Sequence, residues 1–75
     1  MKSCYHFRFI AEDAKSLWKD LTFRFYRDGS VTITNNDTDV RIHPKQLSGA
    51  ALDFYIRKRI YLIKTDLQEK IVKYA

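Results

Sequence analysis

Between Thr22 and His43, apolar side chains occupy every second position in three short runs: Phe23 and Phe25, then Val31 and Ile33, then Val40 and Ile42. A period of two sends successive side chains to opposite sides of an extended chain, so these runs are buried together only as strands of one sheet with a single apolar face. The breaks carry turn residues, Arg27-Asp28-Gly29 and then Asn35-Asn36-Asp37-Thr38. A two-residue turn over Asp28-Gly29 would set Arg24 opposite Ile33 and mix the faces. A three-residue loop with Gly29 in the left-handed region pairs Phe25 with Val31 and Phe23 with Ile33, and keeps each face uniform. At the second break, loops of two or four residues both pair Ile33 with Val40 and Val31 with Ile42. The expected inner face is Phe23, Phe25, Val31, Ile33, Val40 and Ile42. The outer face carries Arg24, Tyr26, Ser30, Thr32, Thr34, Asp39, Arg41 and His43.

Around this meander the period changes twice. Ser3 to Phe9 alternates, with Tyr5, Phe7 and Phe9 on one side and Cys4, His6 and Arg8 on the other, and gives a first strand whose place in the sheet is open. From Ala11 to Leu21, Ala14, Leu17, Trp18 and Leu21 recur at three-four spacing, which predicts a short helix anchored in the core by Trp18, with Glu12 and Asp13 at its positive end. After Pro44, with Ser48 as N-cap, Leu52, Ile56, Ile60, Ile63, Leu67, Ile71 and Tyr74 form a helical stripe expected to close the core. One rod over this length spans about 40 Å, more than the roughly 30 Å of a compact domain of this size. Either it breaks near Lys64-Thr65-Asp66, where Thr65 and Gln68 suit a capping box, or its end projects. Phe54, Tyr61 and Val72 form a second apolar strip on the opposite side, read as a protein interface and a route to homo-oligomers. The reading is a single α+β domain over residues 1–75, in the order β-α-β-β-β-α, with a mainly antiparallel sheet and both helices on one face.

Composition bounds the chemistry. Cys4 is the sole cysteine of 75 residues, which excludes an internal disulfide and a thiolate metal cluster and favours a reducing, cytoplasmic setting. The amino-terminal residues lack the apolar run of a signal peptide, and no stretch is apolar enough to span a membrane. With Gly29 and Gly49 as the only glycines, no phosphate-binding glycine loop forms. Neither a nucleophile motif nor a ligand spacing for metal appears, so no catalytic residue, metal or cofactor is expected, and Cys4 reads as a plain surface thiol held apart from His6.

Fourteen Lys and Arg against nine Asp and Glu leave a charge of +5, suited to nucleic acid or an acidic protein surface. The run Arg57-Lys58-Arg59 disperses around a helix: Arg57 and Lys64 share one side, Lys58 lies on the back and Arg59 flanks the stripe. The outer sheet face gathers charge better. Arg24, Thr32 and Arg41 are expected in one cross-strand row, with Tyr26, His43 and Arg8 near, so that guanidinium groups hold phosphates while Tyr26 offers a ring for stacking. The leading expectation is a non-enzymatic, low-specificity nucleic-acid binder acting through Arg8, Arg24, Tyr26, Arg41 and His43. The second is a small protein-binding adaptor or inhibitor using the sheet face or the last helix. The third is a small ribonuclease using His6 and His43.

Overall fold

The alternating runs form a four-stranded antiparallel sheet in chain order: β1 (Cys4–Ile10), β2 (Asp20–Tyr26), β3 (Val31–Asn35) and β4 (Val40–Ile42). A 3-10 turn at Pro44–Gln46 leads into one helix, α1 (Gly49–Tyr74). This computed structural model describes residues 4–74, with side chains described through residue 64. The class is α+β, with the order β-β-β-β-α in place of the expected β-α-β-β-β-α.

The first hairpin closes as its spacing requires. Gly29 has φ 93°, where a Cβ is strained, and Phe25 faces Val31 while Phe23 faces Ile33. The second hairpin differs by two residues. Its loop runs from Asn36 to Asp39, so Ile33 faces Ile42 and Asn35 faces Val40. Asp39 adopts φ 58°, a left-handed conformation that Asp tolerates better than most residues, and its N–H donates to the Asn35 carbonyl at 2.7 Å. A two-residue shift preserves the face of each residue that stays in a strand, while Ser30, Asp39 and His43 of the expected outer set fall outside β3 and β4. Val40 lies beyond the cover of the core and is 57% exposed. β1 joins the free edge of β2, with Phe7 opposite Phe23 and Phe9 opposite Leu21.

The helix expected over Ala11–Leu21 does not form. The segment is a loop joining adjacent antiparallel strands, tied at its ends by the Ala11 N–H donating to the Lys19 carbonyl at 2.9 Å. Within it Asp13 turns the chain, its carboxylate accepting from the Lys15 N–H and its carbonyl from the Ser16 N–H. An isolated helix this short is marginal, and the three-four stripe coincides with residues needed elsewhere. Leu21 is fully buried as a strand residue, alternating with Phe23 and Phe25, while Leu17 is 72% exposed. Trp18 packs against the core from the loop, and its indole N–H donates to the Gln46 carbonyl at 3.3 Å.

α1 is continuous through Lys64-Thr65-Asp66 and spans about 39 Å for its 26 residues. The molecule is accordingly elongated, 48 × 20 × 19 Å, with a radius of gyration of 14.0 Å against about 11 Å for a compact chain of this length. The helix is also turned about its axis relative to the expected stripe. Ala51 is buried; Phe54, Tyr55 and Leu62 pack against the core; and the Lys58 ammonium lies 4.9 Å from the centre of the Phe7 ring. Ile56, Ile60 and Ile63, expected inside, are 45%, 48% and 55% exposed. Phe54, assigned to the outward strip, meets Phe9 at 5.3 Å and Phe23 at 5.2 Å between ring centres. Aromatic rings bury more area per side chain than isoleucine and stack on the Phe-rich sheet, which decides the orientation. The side chains of Leu67, Ile71, Val72 and Tyr74 lie outside the described residues.

This orientation predicts opposite outcomes for two substitutions. Phe54→Ala should destabilise by about 2–3 kcal/mol, below the cost for a fully enclosed ring because Phe54 is half-buried. Ile60→Ser should stay within about 0.5 kcal/mol. Urea denaturation of both variants checks the contrast.

Candidate nucleic-acid interface

The face of the sheet turned away from α1 takes the even-numbered residues of β1, β2 and β3, together with Arg41 of β4. Registers sort them into rows: Cys4 beside Tyr26; His6 beside Arg24 beside Thr32; and Arg8 beside Thr22, Thr34 and Arg41. The expected row of Arg24, Thr32 and Arg41 is therefore split, because the shifted second hairpin sets Arg41 against Thr34. Arg24 and Arg41 stand on a diagonal, about 12 Å apart between Cα atoms at ordinary strand and residue spacings.

Of the expected cations, Arg8 is engaged. Its guanidinium makes a two-pronged contact with the Asp20 carboxylate, Nε to Oδ1 at 3.0 Å and Nη2 to Oδ2 at 2.7 Å. Asp20 also accepts from the Asn36 side-chain amide at 2.9 Å, and the Asn36 side-chain oxygen accepts from the Thr22 hydroxyl at 3.0 Å. The Arg8 and Asn36 hydrogen bonds hold the Asp20 carboxyl down at about 2. Among the described residues Asp20 is the only acid at an outward strand position, and it is paired with Arg8. Arg24 and Arg41 have no hydrogen-bond or ion-pair partner among the described residues.

Tyr26 leans along the face, its hydroxyl 3.4 Å from the Thr32 hydroxyl, which leaves the ring half-buried. His43 leaves the sheet face altogether. It caps the 3-10 turn, with Nδ1 accepting from the Lys45 N–H at 3.1 Å and its own N–H donating to the Gln46 side chain at 2.8 Å. His6 on β1 and His43 after β4 lie toward opposite edges of the sheet, about 14 Å apart across three strand spacings. The structure does not bring this pair together.

Two features escaped the sequence reading. Asp20 belongs to the same alternation as Thr22 and Arg24, so extending that alternation two residues back would have found it opposite β1. Cys4 and His6 share a face of β1, as the alternation of that strand already placed them, and the His6 Nε2 lies 3.1 Å from the Cys4 Sγ, a contact that corrects the expectation of a thiol held apart from His6. Among the described residues, no three of His, Cys, Asp and Glu gather as a metal site would need, and no helix is long and apolar enough to cross a membrane. Comparison with protein-family models, curated proteins and solved structures finds no match to the chain.

The Asp20 cluster sets a pH response. Because folding lowers the Asp20 pKa, its contribution is fully present above the unfolded value of about 3.9 and is lost as pH falls toward about 2. In an NMR titration the Asp20 carboxyl carbon should show a midpoint near 2, and Arg8→Ala should move that midpoint up toward the ordinary carboxylate value.

Proposed function

We propose that the outer sheet face binds single-stranded nucleic acid with low sequence specificity, and that the protein acts as a binding module without catalysis of its own. The observation that carries this reading is the state of the charges. Among the described residues, the one outward strand acid is taken by Arg8, while the Arg24 and Arg41 guanidinium groups have no partner on a surface that α1 does not cover. Such groups donate in a fork that matches two phosphate oxygens, and two of them about 12 Å apart are placed to hold separate phosphates of one strand. Between them Thr32 and Thr34 add short polar side chains, and Tyr26 presents one side of its ring for a base to stack on. Affinity on such a face comes from charge and stacking and falls with salt. His43, engaged at the cap, plays no part in this surface.

Titration of a labelled single-stranded oligonucleotide between about 50 and 200 mM salt tests the reading. Binding should weaken steeply with salt, and Arg24→Ala with Arg41→Ala should lower the slope of log K against log salt by about 1.4, the value for two phosphate contacts on a single strand. Absence of binding at the lower salt would remove the proposal.

A further inference from the structure

We infer that α1 docks an acidic amphipathic helix of a partner protein along Ile56, Ile60 and Ile63. The sheet uses one side of the helix, through Ala51, Phe54, Tyr55 and Leu62. The three isoleucines stand on the other side, each near half exposed, in steps of four and then three residues. That stepping is the seam by which one helix lies along another. The docked helix would face away from the sheet, on the opposite side of the molecule from Arg24 and Arg41.

Charge selects the occupant. At about 100° per residue, Arg59 borders the seam on one side, and Arg57 and Lys64 border it on the other. Lys58 is turned inward over the Phe7 and Phe54 rings. Asp53, the only acid of the helix among residues 49–64, stands on the Arg57 and Lys64 border one turn before Arg57. That border therefore carries two cations against one acid, and the Arg59 border one cation. A second copy of the chain is disfavoured over this stretch. Run antiparallel, it sets Arg57 against Lys64; run parallel, it sets Arg59 against Lys64, and either arrangement faces like charges across the seam. A helix with an apolar stripe bordered by Glu or Asp complements both margins and covers the isoleucines.

The test uses two labelled model peptides, each a helix with a leucine seam, one with glutamates on both borders and one with lysines, read by fluorescence anisotropy with the full chain. The glutamate peptide should bind, weaken with added salt, and lose about tenfold or more in affinity with Ile60→Ser, whose retained circular dichroism and melting confirm folding. The lysine peptide should not bind. Arg24→Ala with Arg41→Ala should bind the glutamate peptide unchanged, which separates this surface from the nucleic-acid face. Equal binding of both peptides, or no effect of Ile60→Ser, overturns the inference. A wild-type mass of two chains that falls to one in Ile60→Ser assigns the seam to a second copy and overturns it also. So does uptake on phosphatidylserine vesicles, abolished by Ile60→Ser, without peptide binding.

Discussion

The enclosure of the Phe23 ring is the interaction on which the rest of the structure depends. Phe23 is fully buried at the centre of β2; it stacks on Phe25 and Tyr55 at 6.2 Å and meets Phe54 at 5.2 Å. A four-stranded sheet with one apolar face needs a cover, and here a single helix supplies it. Ala51 has little side chain to hold the helix off, Leu47 is buried just before it, and Phe54 and Tyr55 meet the rings of Phe9, Phe23 and Phe25. Aromatic rings at 5–6 Å give this small core much of its buried area, and every other surface is defined by what they leave outside.

Two surfaces follow from that packing. Because the rings choose Phe54 and Tyr55, the isoleucines of α1 turn outward beside Arg57, Arg59 and Lys64. Because α1 covers only one face of the sheet, the other stays open, and its charges arrange themselves without a helix above them. There Asp20 joins β1 through Arg8 and the loop after β3 through Asn36, whose backbone N–H also donates to the Asp20 carbonyl at 2.9 Å. This clasp pairs the negative charge at the start of β2 and leaves Arg24, in the middle of β2, and Arg41, on the edge strand β4, positive on the rest of the face.

Much of the sheet was legible because alternation and turn chemistry act locally. Phe23, Phe25, Ile33 and Ile42 are buried as their period demands, and Gly29 takes the one conformation that keeps the faces uniform. The failures have physical causes too. Leu21 satisfies both a helical and a strand period, and only pairing with β1 and β3 decides between them. α1 carries apolar residues on both sides, so its periodicity establishes a helix but not the face it buries; ring packing across the core settles that. The second turn depended on Asp39 accepting a left-handed backbone, which composition permits without requiring. As for the candidate site, Arg24, Tyr26 and Arg41 were placed on the correct face, but the engagement of Arg8 by Asp20 and the capping role of His43 emerge only when distant segments meet.

The orientation of α1 is the central claim, since it fixes both the core and the two free surfaces. The most direct measurement is a set of nuclear Overhauser contacts between assigned aromatic and methyl protons. Contacts from the Phe54 ring to the Phe9 and Phe23 rings, with none from the Ile56 or Ile60 methyls to the sheet, are what the structure predicts. Contacts from the Ile56 and Ile60 methyls to Phe23, with Phe54 showing none, would contradict it.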